Sequence, residues 1–170
     1  MPTTRKQIAP SISRQSEVRL SVVQQKDIDG IWFLAEPHLL RSYRKADQNI
    51  PVTLRDDLRK GFRQLWLLTQ DVTIVAAGVT SMFATRSGLA LKIEHLGGGS
   101  MRQWLHTLKE LEAYARSQSC TKLTWEGREG WMRLIPDYHV TAVVMTKRLD
   151  SDGQHVSADV DTSPELDHDR

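Results

Sequence analysis

One amphipathic repeat constrains this chain more than any other feature. Met101, Trp104, Leu105, Leu108, Leu111 and Ala115 recur at three- and four-residue spacing, while Arg102, Lys109, Glu110 and Arg116 take the other faces. That spacing predicts a helix from Met101 to Ser119. Gly97, Gly98 and Gly99 precede it, and Ser100 is placed to cap it, with Gln103 reaching back from the third helical position. A strand pattern lies on either side, Leu89 to Leu96 before and Thr121 to Trp125 after. Strand, helix and strand in this order predict a parallel pair joined by a right-handed crossover.

The rest of the chain supplies partners for that unit. Val18 to Val23 is short and β-branched, as a strand should be. Asp27 then opens a helical pattern with Ile28, Ile31, Trp32 and Leu39 on one side, and Pro37 predicts a break or kink near Glu36. Thr53 and Asp56 resemble a capping box for a short helix ending at Gly61. Gln64 to Gln70 and Thr73 to Thr80 read as a hairpin, and the turn Arg86-Ser87-Gly88 leads from it into the strand at Leu89. Beyond Trp125 the pattern gives a turn at Gly127 to Gly130, one helical turn at Trp131 to Ile135 stopped by Pro136, and a last strand at Thr141 to Leu149. The expected fold class is therefore α/β (α+β), a mixed, mostly antiparallel sheet of about six strands with helices on both faces.

At 170 residues and 39% hydrophobic, the chain suits one domain. The expected organisation is a flexible arm over 1–16, a domain over 17–150 and a disordered acidic tail over 151–170. The net charge of +2 conceals six acids against one Arg in 151–170, which leaves +7 on 1–150. A mildly basic body suits an anionic ligand and is equally ordinary for a soluble domain. No run reaches the ~20 apolar residues of a membrane span, and Met1 to Pro10 lacks a secretory apolar stretch, so the expectation is a cytoplasmic protein with no membrane partner. A single Cys120 argues against a disulfide or a thiolate metal site, and no metal is expected. The basic residues from Arg41 to Arg63 form no nucleic-acid reading motif and read as a solvated helix face. Trp32, Trp66, Trp104 and Trp125 fall on apolar sides and read as core, whereas Trp131, between Arg128 and Arg133, stacks on a ligand or covers the sheet end.

Four local features, in this order, carry a resemblance: the strand ending Ile93-Glu94-His95-Leu96, the glycine-rich lead into the helix, the exit Ala115-Arg116-Ser117-Gln118-Ser119-Cys120 into a strand, and the close Lys147-Arg148-Leu149. Over about 130 residues the chain resembles the GNAT superfamily of acyl-CoA-dependent N-acyltransferases. The run Glu126-Gly127-Arg128-Glu129-Gly130-Trp131 resembles a small GNAT-like type associated with phage and prophage genomes.

The resemblance implies acetyl-CoA as cofactor, its pyrophosphate on backbone N–H groups where the helix begins, and an amine as acceptor. Leu96, Gly97, Gly98, Gly99, Ser100 and Arg102 then stand as cofactor-binding candidates, and Glu94 as the base that accepts the ammonium proton. Each has a plain alternative: the glycines as a strand-to-helix turn, Glu94 as a solvent-facing residue or a partner of Lys92. Strand alternation places Glu94 and His95 on opposite faces, so that only one of them faces a site. The loop departs from the family pattern Q/R-x-x-G-x-G/A, being shorter and without spaced glycines. Arg133 or Met132 stands where the family uses a Tyr acid, with Tyr138 and Tyr114 as weak substitutes. Two functions follow: an N-acyltransferase, or a catalytically silent GNAT-fold protein serving a structural or accessory role, such as a phage particle component or homo-oligomer.

Overall fold

The computed structural model describes residues 17–99, 101–126 and 133–142. Its contacts divide the chain into two units, residues 1–128 and 129–170. In the first unit a five-stranded sheet has the order β1-β2-β3-β4-β5, with β1 Arg19–Val22, β2 Arg63–Gln70, β3 Thr73–Thr85, β4 Gly88–Gly98 and β5 Cys120–Trp125. Neighbours are antiparallel except β4 and β5, which run parallel from Leu89–Cys120 to Ile93–Trp125 as the crossover demands. In the second unit the Tyr138 N–H donates to the Ile135 carbonyl at 3.0 Å, closing a turn over Pro136 and Asp137. The strand expected at Thr141 to Leu149 lies, after Ala142, outside the described residues, as do Gly127 to Met132 and both chain ends.

Helix α1, Ile28–Lys45, contains Pro37, so of the expected break or kink the break does not occur. Proline removes one N–H and crowds the carbonyl four residues earlier, which belongs to Phe33, 66% exposed on the outer side of the helix. The inner side holds the helix together: Ile28, Ala35, Leu39 and Tyr43 are buried against Leu65, Leu67, Ala77 and Val79 of the sheet. Helix α2, Leu54–Lys60, adds Leu54 and Leu58 to the same layer and ends at Gly61, whose φ of +76° suits a residue without Cβ. The expected capping box does not form. Thr53 Oγ1 donates to the Asp57 carboxylate at 3.3 Å instead of capping the backbone. A network of Asp29 with Arg55 and Arg59, the latter also held by Asp56, fastens α2 to α1 on the surface.

The other face is covered by the crossover. In place of one continuous helix, α3 (Met101–Trp104) passes through a 3-10 turn at Leu105–Thr107 into α4 (Leu108–Ser117). The Thr107 hydroxyl donates to the Trp104 carbonyl at 2.7 Å, taking an acceptor that a regular helix would give to a backbone N–H. His106 Nε2 also hydrogen-bonds the Val18 carbonyl beside β1, 3.1 Å away. Ser119, with φ of +59°, ends α4 where the sequence predicts. Beneath these elements Leu68, Ile93 and Leu96 line a narrow gap with Thr107, Leu108 and Leu111.

Candidate functional site

The irregular point of the sheet is in β4. Thr80 pairs with Ile93 and Val79 with His95, so Glu94 is an extra residue inserted opposite β3. A bulge of this kind re-aims the side chains at it. The expected alternation of Glu94 and His95 is therefore overturned. His95 stacks on Tyr43 of α1 with ring centroids 3.6 Å apart, and the charge of Glu94 acts on that same tyrosine. Both residues face the α1 and α2 layer.

Glu94 does not pair with Lys92. Arg63 Nε donates to Glu94 Oε2 at 2.7 Å, and the same guanidinium donates through Nη1 to Asp57 of α2. The three side chains are only 30%, 16% and 20% exposed for Arg63, Glu94 and Asp57, so water screens the pairs weakly. Burial opposes the charge on Arg63, but the Glu94 bond and the Asp57 charge outweigh it and hold the guanidinium above its ordinary value. Lys92 instead reaches Glu126, Nζ to Oε1 2.5 Å.

Burial keeps the His95 imidazole below its usual value despite the nearby Glu94 and Glu126 carboxylates, so it stays neutral at pH 7. Burial, reinforced by Glu94 and opposed by Arg63, pushes the Tyr43 phenol up to about 12. The cluster thus joins two carboxylates under one guanidinium, a neutral imidazole and a protonated phenol. It can accept a proton at His95, while the Glu94 carboxylate is engaged by Arg63.

The glycines divide by function. Gly97 and Gly98 lie within β4, which runs past the expected end at Leu96. A Cβ on Gly97 would stand 2.2 Å from the His38 carbonyl oxygen, so this glycine lets α1 lie against the strand. A Cβ on Gly98 would stand 2.3 Å from that of Ala76, so this one lets β3 and β4 close. Gly99 is different. Its N–H donates to the Val75 carbonyl at 2.9 Å, and an added Cβ would meet only that oxygen, at 3.8 Å. Ser100 lies outside the described residues. Arg102 is exposed on α3, and because α3 is a single turn the helix dipole expected there is small.

Pairing of β4 with β5 stops at Ile93–Trp125, while β4 continues from Glu94 to Gly98. Among the described residues the strand edge beyond the last pair, next to the bulge, has no strand partner, and such an edge offers backbone groups to an extended ligand carrying amides. Tyr114 is elsewhere. Its hydroxyl accepts from Gln64 Nε2, its ring meets Trp66 edge-on at 4.8 Å, and both partners lie on the face opposite Arg63. Tyr138 belongs to the second unit, and Met132 lies outside the described residues. Among the described residues no group of three or more His, Cys, Asp or Glu is placed to hold a metal ion, and no helix is long and apolar enough to cross a membrane.

Arg63, Asp57 and Tyr43 have no place in the sequence-derived site. One signal for Arg63 was present: Arg63, Leu65 and Leu67 share a two-residue period, which puts a cation in phase with core positions where it needs a partner.

No protein-family model matches the sequence, and no curated protein is significantly similar to it. The fold, in contrast, is shared with solved structures. An aminoglycoside acetyltransferase from an uncultured soil metagenomic sample superposes with a TM-score of 0.60 at 9% identity, over 78% of this chain and 97% of its own. A GNAT family acetyltransferase from Staphylococcus aureus gives 0.51 at 14% identity, over 78% and 99%. A protein described as a predicted acetyltransferase, solved with acetyl-CoA from Clostridium acetobutylicum, gives 0.52 at 13%, over 81% and 99%. The chain has the fold of the GNAT acetyltransferases.

Proposed function

We propose that this protein is an acyl-CoA-dependent N-acyltransferase that transfers an acetyl group to an amine. The observation that supports this most is the bulge in β4, which sets Glu94 and His95 side by side next to a strand edge that, among the described residues, has no partner beyond Ile93. Acetyl-CoA fits the open part of the site. The edge from Glu94 to Leu96 that β5 leaves unpaired, the roomy Gly99 and the charge of Arg102 would hold it, whereas Gly97 and Gly98 are filled in by the protein itself. When bound, it supplies an activated thioester carbonyl to the acceptor amine.

The chain's own groups then handle the proton. An amine attacks only when unprotonated, so a base must take the ammonium proton first. Neutral His95 is in the state to do so, and Glu94 is the second acceptor. Arg63 acts on the reaction through Glu94, by fixing its direction. Tyr43 supports the His95 ring by stacking.

The second reading, a GNAT-fold protein without catalysis in a structural or accessory role, draws on two observations. Glu94 is already ion-paired, and two of the three glycines are used for packing. Calorimetric titration with acetyl-CoA separates the two. Binding in the micromolar range, with turnover on a panel of amines that is lost in Glu94→Gln or His95→Gln, supports the enzyme. Absence of heat at millimolar acetyl-CoA leaves the structural role.

A further inference from the structure

Glu94 is the extra residue of the β4 bulge and stands just past the last pair between β4 and β5. Only one of its carboxylate oxygens is taken. Arg63 Nε donates to Oε2 at 2.7 Å, while Oε1 accepts no hydrogen bond among the described residues. Among those residues Oε1 is also not a polar atom closed off from solvent, and the side chain keeps 16% exposure.

A guanidinium frequently takes both oxygens of a carboxylate in two parallel bonds, and Nη2 is the nitrogen beside Nε that completes such a pair. Asp57 of α2 accounts for its absence here. It receives Nη1, the nitrogen on the other side of the guanidinium, and its Oδ2 is held in turn by Thr53 Oγ1 at 3.3 Å. Turning Nη2 onto Oε1 would mean giving up Asp57. The same residue sets the charge: two carboxylates against one guanidinium leave the cluster net negative, where water screens weakly. Without Asp57 the remaining pair is neutral.

We infer that Asp57 is a positioning residue for the acceptor amine: it keeps Arg63 on one oxygen of Glu94 and so leaves Oε1, with a net negative charge behind it, to the acceptor's ammonium group. The inference rests on the reading of Glu94 as part of an acyl-transfer site and adds the residue on α2 that keeps it open. The test has a binding arm that needs no turnover. The full chain, without acetyl-CoA, is titrated at constant ionic strength with methylammonium, and with tetramethylammonium, which has the charge but no N–H, while the Glu94 and His95 amide resonances are followed. The expected result is saturable movement with methylammonium, weakened about tenfold in Asp57→Ala by the loss of one charge-assisted hydrogen bond. Asp57→Asn, which keeps an acceptor for Nη1, should fall between the two, and each variant's own spectrum verifies its fold. Absence of saturation at about 100 mM methylammonium, equal binding of tetramethylammonium, or indifference to Asp57→Ala overturns the inference. An Asp57→Asn variant as weak as Asp57→Ala makes the effect one of charge alone and overturns the positioning role. In the turnover arm, Asp57→Ala should raise KM for the amine about tenfold with acetyl-CoA binding at the wild-type level, and an unchanged KM overturns the inference while acyl transfer stands. Asp57-dependent ammonium binding without turnover on any amine supports the site and counts against acyl transfer alone.

Discussion

Arg63 holds Glu94 at 2.7 Å across β3 while its other arm holds Asp57, so one half-buried cation serves two half-buried anions. The two ends of this arrangement are unequal. Removing Arg63 leaves two carboxylates facing each other, whereas removing the charge of Glu94 leaves an Arg–Asp pair.

Arg63→Met should therefore destabilise the fold by about 2–4 kcal/mol, toward the lower end because the groups retain some solvent contact, and Glu94→Gln by no more than about 1 kcal/mol. Urea denaturation at pH 7 checks this. Equal shifts of the two midpoints would show that the triad is not coupled as drawn.

The glycines make a second prediction. Gly97→Ala drives a Cβ into the His38 carbonyl and should cost about 1–3 kcal/mol or more, while Gly99→Ala, with open space, should stay within about 0.5 kcal/mol of wild type. Thermal melts distinguish them. Gly98→Val would report on the closure of β3 against β4, so Gly99→Val is the cleaner probe of acetyl-CoA binding, with the expected result of weakened binding in a folded protein.

Acid and alkaline limits follow from the stacked pair. The folded state holds the His95 imidazole below 6.5, as it does His38 through burial and Arg41, so the unfolded chain binds more protons near that value. Stability should fall as pH drops through about 6.5 and level off below the folded values, and His95→Phe should flatten part of that slope. Tyr43 has the opposite sense: a folded value raised from 10.0 to about 12 gives stability that is complete below pH 10 and lost between 10 and 12. That loss is on the order of 2–3 kcal/mol for a two-unit shift, and Tyr43→Phe should abolish it. Denaturation midpoints across pH 4–8 and 9–12, wild type against each variant, give the measurement.

On the opposite face, buried Trp66 donates through Nε1 to Thr80 Oγ1 at 2.9 Å. Thr80→Val keeps the shape and removes the acceptor, leaving a buried indole N–H unpaired, and should cost about 1–3 kcal/mol. Thr80→Ser, which keeps the hydroxyl, should recover much of the loss. A Ser variant as unstable as the Val variant would assign the effect to the lost methyl.

From β1 to β5 the elements and their order were legible in the sequence. The two-residue period of β2 to β4 and the three- and four-residue period after Met101 are local, and strand, helix, strand leaves only a parallel β4 and β5. It also marked Glu94 and the glycines as notable. Tertiary structure decided what those residues do. Pro37 stays inside α1 because burial of Ala35, Leu39 and Tyr43 outweighs one lost hydrogen bond, and the crossover helix breaks at Leu105 because Thr107 and His106 find other partners. The bulge at Glu94 depends on register with β3, the Arg63 pair joins residues 31 positions apart, and Gly97 is needed because α1 lies on it. Each of these is a distance between segments remote in the chain, and periodicity, which reports only near neighbours, carries no record of such distances.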